Sequence, residues 1–345
     1  MKKRILIHLG ILLAMLIVAA GLLLGAEKIG KSRKEAFVAS LYGGETPYAS
    51  LSLFLSSGER LTKTAVSDVR SEIASTLETD SLGTGENSVP IAYAAFLSEE
   101  AVGERGSCST NLTLVGGDFF LLHPLSFLSG SALPSSDSGV RYAVIDERAA
   151  WALFGATDVV GFLFSVGGET YETVGIVESE KDNPFYGEIP RLFLPYDSYA
   201  GEAPLTCIEA LLPDPVEGYA DSLWEKATSS YSEKGIRANG GRRTSLLSLL
   251  GSYSGFFAKP VREKEIAFPY WENDAIVQTE KAALLAGIAA VTAAVALLLL
   301  LIAFFRRFSR FRKGVSGFFV GIGSRASDAV DRVRCRKYYR DNKKE

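Results

Sequence analysis

An octapeptide near the amino terminus has the spacing of a phosphate-binding loop. Gly25 to Ser32 reads G-A-E-K-I-G-K-S and matches the pattern G-x-x-x-x-G-K-[ST]. A working loop of this kind follows a buried β-strand and opens a helix, so that backbone N–H groups surround the phosphates. Here the string follows an unbroken apolar run, Ile5 to Gly25. We interpret the match as coincidence and predict no cofactor.

The two histidines stand apart from other residues that could work with them. His8 lies inside the apolar run, and His123 stands between Leu122 and Pro124 with no cysteine or carboxylate at ligand spacing. A satisfied core or turn histidine is the better interpretation of His123. The sequence therefore predicts no catalytic, cofactor-binding or metal-binding residue, and a protein that is not an enzyme.

Three acidic residues near the middle of the chain could be read as a catalytic acid pair: Asp137, Asp146 and Glu147. Carboxylates are also favoured at the first positions of a helix, where they accept hydrogen bonds from free N–H groups and face the positive end of the helix dipole. We therefore predict that Asp146 and Glu147 open a helix over 148–154.

Two apolar runs are long enough to cross a membrane. Ile5 to Gly25 has 21 residues and Ala282 to Phe305 has 24. At about 1.5 Å per residue, either crosses a hydrocarbon core of about 30 Å. Roughly 255 residues lie between them, enough for a sizeable folded domain.

Charge is distributed in three parts. Residues 1–34 carry seven basic residues and one acidic residue, a net charge of +6, and residues 306–345 carry thirteen and four, a net charge of +9. Residues 35–305 carry the remaining 17 basic and 35 acidic residues, a net charge of −18. Basic residues beside a span favour the cytoplasmic side, although Lys28, Lys31, Arg33 and Lys34 blur this bias after the first run.

These patterns predict a two-pass protein of the plasma membrane with both termini in the cytoplasm. The predicted segments are a cytoplasmic terminus at 1–4, a first span at 5–25, an extracytoplasmic domain at 26–281, a second span at 282–305 and a basic tail at 306–345. A signal peptide over 1–26 is the alternative to a retained anchor, but the run is longer than a usual signal peptide core and Leu24 is a poor −3 residue.

Three cysteines leave the redox state open. Cys108 and Cys207 would share the outer compartment, and a disulfide and two buried thiols both fit their spacing. Cys335 would lie in the cytoplasm. Asn111-Leu112-Thr113 fits a glycosylation sequon, which matters only in a host that glycosylates.

Hydrophobic periodicity predicts two β-α-β units on either side of the chain's centre. The predicted strands are 48–56, 89–98, 107–115, 207–212 and 235–239, with an edge-like strand ended by proline at 191–195, and the predicted helices are 62–77, 216–227 and 244–257. Two split β-α-β halves form one α/β sandwich, in which the central stretch is a mostly β insertion.

The stretch Leu114 to Val177 is the densest in pattern. Gly116-Gly117 permits a positive-φ turn, and Gly155 is placed to end a helix. Gly167-Gly168 predicts a hairpin between strands at 162–166 and 170–177.

Two features near the second apolar run each keep two interpretations. Phe268, Tyr270 and Trp271 suit the interfacial belt of a membrane protein or a packed aromatic knot in the outer domain. The tail predicts a basic amphipathic helix on the anionic inner leaflet, or a solvated tail whose apolar stripe docks on a partner. The stripe consists of Val315, Phe318, Phe319, Ile322, Ala326, Ala329, Val330 and Val333.

Six motifs follow one another in a fixed order between residues 115 and 177. They are Val115–Phe120, Leu128–Ser131, Tyr142–Glu147, Ala149–Gly155, Val160-Gly161 and Tyr171–Val177. Their order and spacing resemble the periplasmic core domain of MacB-type ABC transporter permeases. Two departures stand out: Leu128–Ser131 lacks the usual arginine of the turn, and one apolar run follows the domain where the family has three, as in a short variant lacking the C-terminal FtsX-like helices.

The resemblance implies an α+β extracytoplasmic domain between two transmembrane α-helices. Its split β-α-β porter-like lobe would occupy about 47–110 and 203–265, and an inserted β-rich lobe about 111–202. It also implies a non-catalytic subunit in the lipid bilayer that couples ATPase motion to the outer domain in export or envelope processes.

The implied partners are an ABC ATPase and a multi-span permease chain, in a homo- or hetero-oligomer without nucleic acid. The alternative function is a membrane-anchored envelope sensor or scaffold that signals through its basic tail.

Overall fold

The computed structural model describes most of the chain. The described ranges are 2–31, 34–42, 46–56, 58–59, 61–82, 89–134, 141–179, 189–231, 235–240, 262–263 and 266–341. The backbone alone is described at 2–9, 30–31, 34–37, 262–263, 267 and 307–341. Two compact units are present: Met1–Leu23 with Gly287–Glu345, and Leu24–Ala286.

Seven α-helices, two short 3-10 helices (Tyr196–Ser198 and Ser229–Tyr231) and twelve strands are assigned within these described ranges. The helices are α1 (Lys2–Lys31), α2 (Lys34–Tyr42), α3 (Lys63–Thr79), α4 (Phe119–Leu122), α5 (Glu147–Phe154), α6 (Tyr219–Ala227) and α7 (Tyr270–Asp341). The strands are β1 (Tyr48–Leu55), β2 (Ile91–Val102), β3 (Ser107–Gly117), β4 (Phe127–Gly130), β5 (Tyr142–Asp146), β6 (Leu163–Val166), β7 (Glu169–Val177), β8 (Arg191–Pro195), β9 (Cys207–Pro213), β10 (Gly235–Asn239), β11 (Arg262–Glu263) and β12 (Ile266–Ala267).

One ten-stranded sheet dominates the Leu24–Ala286 unit. Its order is β10-β1-β9-β2-β3-β8-β5-β7-β4, and β6 pairs with β2 and β7. Strand β1 lies antiparallel between β9 and β10, so the strands of the two β-α-β units alternate. The predicted α+β class and split β-α-β sandwich are confirmed. Strands of both predicted lobes belong to this sheet, and the lobe boundaries stay a prediction.

Helices α3 and α6 pack side by side against one face of the sheet. Thr62 caps α3, its hydroxyl accepting a hydrogen bond from the Ala65 N–H at 3.1 Å. The helix then buries a stripe at helical spacing, Val66, Val69, Ile73 and Leu77. Each such side chain stabilises the folded state by about 1.5–3 kcal/mol when fully buried. The stripe belongs to the continuous apolar core on this face of the sheet.

The central stretch follows the backbone chemistry of its glycines and carboxylates. Asp146 caps α5 by accepting the Ala149 N–H at 2.8 Å, and Gly155 ends the helix with φ +73°. The hairpin between β6 and β7 turns at Gly167 and Gly168, both at positive φ. Gly117 also has positive φ, +64°. These local predictions are confirmed.

One local prediction is wrong. The strand Arg191–Pro195 is not edge-like: β8 lies inside the sheet, parallel to β3 and antiparallel to β5, with its first four residues buried. Its proline is the last residue of the strand, where a missing N–H costs the ladder little. Most of the motif Leu128–Ser131 lies in β4, an edge strand that ends at Gly130 with φ +72°.

The other predicted elements within the described residues differ from the observed ones only at their ends. The remaining local predictions lie outside the described residues. Helix α6 begins at Tyr219, three residues after the predicted start. The helix predicted at 244–257 and Asp137 lie outside the described residues.

Among the described residues, two helices are long and apolar enough to cross a membrane: Gly10–Ile29 within α1, and Tyr270–Arg306 within α7. In the Leu24–Ala286 unit, the end of α1 packs on α7 through small residues. Ala26 is buried with Ala282, Ala283 and Ala286. Helix α7 continues without interruption to Asp341.

Candidate functional site

The most unusual residue of the sheet is a buried carboxylate in an interior strand, β9. Strand β9 reads C-I-E-A-L-L-P and is buried along its whole length. Ile208, Ala210 and Leu212 face the helix-covered core, so the alternation of the strand turns Glu209 to the opposite face. A charge in such a position needs close partners, because burial without them is costly.

Three side chains supply those partners. Ser52 lies directly opposite Glu209 on β1, and its hydroxyl donates to Glu209 Oε1 at 2.8 Å. Trp271 Nε1 donates to the same oxygen at 3.3 Å. His123 Nε2 pairs with the other oxygen, Oε2. We call these four residues the clasp.

Helix α4 and its aromatic residues position His123. The His123 N–H donates to the Phe119 carbonyl at 2.8 Å, which closes the turn that follows the helix. The imidazole also packs against two rings, with centroid distances of 4.7 Å to Phe119 and 4.4 Å to Trp271. His123 and Glu209 are each only 4% exposed. The structure therefore places His123 in the core, as the sequence predicts.

The first turn of α7 is embedded beside the clasp. Phe268, Tyr270, Trp271, Glu272 and Asn273 are all buried, and we call residues 268–273 the collar. Asn273 Nδ2 donates to the Phe268 carbonyl at 2.9 Å, which fixes the entry of the chain into the helix. Trp271 packs edge-on against Phe96 and Phe119. Of the two interpretations of these aromatic residues, the packed knot is confirmed.

A second tether joins the collar to the inserted strands. The guanidinium of Arg191 on β8 lies 4.1 Å from the centre of the Tyr270 ring, a cation–π contact.

Asp146, at the end of neighbouring β5, accepts a hydrogen bond from Ser179 Oγ at 3.1 Å. Burial raises the pKa of Asp146, and hydrogen bonds from Ala149, Arg191 and Ser179 oppose that rise.

The clasp contains a serine, a histidine and a glutamate, but their order does not suit nucleophilic catalysis. In a Ser-His-acid triad the imidazole lies between the hydroxyl and the carboxylate, so that it can take the serine proton. Here the carboxylate is central and receives both Ser52 and His123. All three side chains are buried, at 8% exposure or less. The arrangement holds structural elements together and offers no reacting group to a substrate.

Glu209 is the residue that sequence reasoning missed. It is 86 positions from His123, so no local spacing connects the two. The available signal was a single charge inside an otherwise apolar strand, since an acidic residue there needs a buried partner.

The structure also decides the remaining sequence motifs. Residues Gly25 to Lys31 of the P-loop match lie inside α1, where their N–H groups bond within the helix, so the match is coincidence. The sequon residue Asn111 lies on β3 between β2 and β8, and Thr113 is buried. The sequon is therefore part of a strand and not of an exposed loop that could accept a glycan. His8 belongs to α1, with its side chain outside the described part.

Cys108 and Cys207 are both free thiols. They lie on different strands, β3 and β9. Burial raises the pKa of the Cys207 thiol well above its ordinary value, and the nearby carboxylates of Glu209 and Glu272 add to the rise. The alternatives for these cysteines were a disulfide and two thiols, and the structure contains two thiols.

Taken together, an interleaved β-α-β sheet and two apolar helices define a membrane protein with an extracytoplasmic α+β domain. Residues 5–220 match the family model described as the MacB-like periplasmic core domain. The chain belongs to this family, as its six ordered motifs predict.

Two solved structures are similar at low identity. The periplasmic region of MacB from Actinobacillus actinomycetemcomitans is 19% identical with a TM-score of 0.42, over 56% of this chain and 89% of that one. The extracellular domain of the noncanonic ABC-type transporter YknZ from Gram-positive bacteria is 14% identical with a TM-score of 0.41, over 55% of this chain and 98% of that one. No curated protein matches the sequence.

Family membership sets the general role of the chain. It is a membrane transporter component of the ABC permease type, which works within an ABC transporter complex and is not an enzyme.

Proposed function

We propose that the chain is a non-catalytic, permease-like subunit that couples the motion of an ABC ATPase to its extracytoplasmic domain, in export or envelope processes. The observation that carries the proposal is the anchored start of α7. Its first turn is held by the clasp and by Arg191, and the same helix runs unbroken through the apolar segment to Asp341. A continuous helix transmits displacement along its axis, whereas a flexible linker absorbs it.

The coupling requires that the two ends of α7 lie on opposite sides of the membrane. We place residues 1–4 and 306–345 in the cytoplasm and 26–281 outside, on the basis of the three basic residues that precede the first span and the thirteen that follow the second. Cys335 reports on this topology. It should react with a membrane-impermeant maleimide only after intact cells are permeabilised, judged against a Cys335→Ser variant.

The matched control for that experiment is Glu225→Cys, at an exposed position of α6. This cysteine should react in intact cells. Labelling of Cys335 before permeabilisation would reject the proposed orientation.

Two lobes within the outer domain are part of the proposal. The first comprises about 47–110 and 203–265, and the second about 111–202. The two tethers of the collar support this division, since Glu209 belongs to the first lobe and Arg191 to the second. Hydrogen exchange should reveal two groups of amides with separate opening free energies. A single group would argue for one lobe.

The proposed partners are an ABC ATPase and a multi-span permease chain. Purification of the tagged chain in mild detergent should recover both, in a homo- or hetero-oligomer, because two spans alone cannot enclose a pathway. Replacing both Tyr270 and Trp271 with alanine should leave the ATPase bound to the chain. The rate of ATP hydrolysis should then no longer depend on the outer domain. Recovery of the chain alone as a monomer contradicts the proposal.

A membrane-anchored sensor or scaffold is the second candidate function. The continuation of α7 to Asp341 favours it too, because a helix that leaves the apolar segment can present a basic cytoplasmic surface to a partner. Deleting 306–345 separates the two functions. Loss of a downstream response with ATPase association intact indicates a sensor, and loss of the association itself indicates the transporter subunit.

A further inference from the structure

The segment that follows the first apolar run is basic, which its proposed position outside the membrane does not explain. Residues 27–34 carry four basic residues and one acidic residue. Basic residues at the outer end of a span oppose the orientation that the basic tail favours, because such residues prefer the cytoplasmic side. Binding to a negatively charged group at this end of the helices accounts for their presence.

Helices α1 and α7 meet at this end through small residues. Ala26 is buried with Ala282, Ala283 and Ala286. The outer domain lies between the two apolar runs in the sequence, so residues after Ala26 and before Ala282 lie on its side of the contact. Lys28 follows Ala26 by two residues and Lys281 precedes Ala282 by one. Both lysines therefore lie within about 3 Å of this contact along their helix axes.

On each helix the lysine shares a face with an exposed leucine. Leu24 is 66% exposed and precedes Lys28 by four residues, and Leu284 is 45% exposed and follows Lys281 by three. Residues at these spacings are neighbours on a helix surface. Both lysines are exposed, and neither has an ion-pair partner among the described residues. In a bilayer such a leucine contacts acyl chains, and the lysine beside it extends to the headgroups.

We propose that Lys28 and Lys281 bind the phosphate groups of anionic lipids and so fix the depth of the two helices in the bilayer. The lysine ammonium binds phosphate as a point charge. Glu27 and Glu280 directly precede the two lysines, which turns them about 100° away around each helix. That the lipids belong to the outer leaflet rests on the proposed orientation, whereas lipid binding itself does not.

Energy transfer from tryptophan to a labelled lipid headgroup reports on this site. All three tryptophans belong to the unit Leu24–Ala286, and Trp271 lies ten residues from Lys281 along α7, about 15 Å. Headgroups of the opposite leaflet lie beyond a further hydrocarbon core of about 30 Å, so lipids bound by the basic tail contribute little transfer. The full chain is placed in phosphatidylcholine nanodiscs with a trace of one of two dansyl-labelled lipids, an anionic phospholipid or a neutral diacylglycerol. Transfer should be stronger to the anionic label.

Replacing the lysines tests whether they cause this excess. In Lys28→Gln and in Lys281→Gln the excess should fall roughly fivefold for each lysine replaced. The double arginine variant keeps both charges and should keep the excess. Lys226→Gln is the matched control, since it removes an exposed lysine of α6 in the same unit. Equal transfer to the two labels in the parent, an excess that survives in the double glutamine variant, or an equal loss in the control overturns the proposal.

A competition experiment uses the unaltered protein, so it does not depend on the folding of a variant. Unlabelled phosphatidylglycerol should displace the anionic label, and added phosphatidylcholine at the same concentration should not. Inorganic phosphate at that concentration should also leave the label in place. Displacement by inorganic phosphate would indicate a site for the free ion and would overturn the assignment to lipid.

This proposal and the proposed function can fail separately. A lipid preference in a chain that recovers no ATPase leaves the lysine site standing and removes the coupling function. Labelling of Cys335 before permeabilisation would assign the lysines to the other leaflet and leave the preference unchanged. ATPase recovery without a lipid preference removes only the lysine site.

Discussion

At the residue scale, the central feature is one carboxylate with three donors in an apolar setting. Each donor comes from a different element: Ser52 from β1, His123 from the turn after α4 and Trp271 from α7. Buried charged networks of this kind are costly when a member is lost, because the remaining charge cannot be resolvated. Individual substitutions in the clasp should therefore act strongly.

Replacing His123 tests this cost. His123→Leu leaves Glu209 without its main partner and should lower the free energy of unfolding by about 3–5 kcal/mol. His123→Gln keeps an N–H donor and should lose only about 1–3 kcal/mol. Denaturant unfolding followed by tryptophan fluorescence measures both. Equal losses in the two variants would show that packing, and not the charge, determines the effect.

Asp146 provides a test that depends on pH, because its carboxylate is buried. Burial raises its pKa above the ordinary 3.8, so the folded state binds the proton more tightly than the unfolded chain. The ionised carboxylate therefore costs stability, and this cost is absent below about pH 3.8 and grows as the pH rises through the folded value.

Asp146→Asn removes the charge and keeps the helix cap, since asparagine caps as well as aspartate. Its stability relative to the parent should rise with pH from about 4 upward, measured by unfolding at several pH values. Asp146→Ala, which also loses the cap, should be lower by about 1 kcal/mol throughout. A pH-independent difference between Asp146→Asn and the parent would contradict the raised pKa.

At the element scale, alternation of the two β-α-β units decides the architecture. Strand β1 pairs with both β9 and β10, although about 150 residues or more separate them along the chain. Elements that are neighbours along the chain are joined by turns that depend on glycine. Gly117 and Gly168 are contrasting examples. Gly117 ends β3 before α4, and Gly168 turns an exposed hairpin.

These two glycines make a matched pair for substitution by alanine. Both have positive φ, which costs an L-residue about 1–2 kcal/mol. A Cβ at Gly168 meets nothing within 4 Å, whereas at Gly117 it would lie 2.1 Å from the Ile91 carbonyl oxygen. Gly168→Ala should therefore lose only the strain, and Gly117→Ala about 1–3 kcal/mol more. Thermal unfolding compares them, and equal midpoints would reject the close approach.

At the scale of the whole molecule, the outer domain belongs to the compact unit Leu24–Ala286. All three tryptophans, Trp151, Trp224 and Trp271, belong to this unit. The collar, the clasp and the sheet all belong to this unit.

Truncation after Arg306 tests that independence. The thermal midpoint reported by tryptophan fluorescence should not change, because residues 307–345 belong to the other unit. A truncation after Asp274 is the contrasting variant, since it leaves the collar without most of α7, and it should lower the midpoint. A shift in the first variant equal to that in the second would show that the tail stabilises the outer domain.

The sequence by itself determined the local features of this protein. The helix cap at Asp146, the Gly167-Gly168 hairpin and the two apolar runs follow from neighbouring residues, since caps, turns and periodicity act over a few positions. The ordered motifs between 115 and 177 also indicated the family. These properties need no information about distant parts of the chain.

Only the tertiary structure decided the clasp and the position of β8. Pairing Glu209 with His123 and Trp271 depends on how β9, α4 and α7 meet, and no spacing rule reaches across 62 to 86 residues. Strand β8 was misjudged for the same reason, because its neighbours β3 and β5 are chosen by long-range pairing. A buried charge is specified by its partners in space, so the residue that holds α7 to the sheet became visible only when the sheet was assembled.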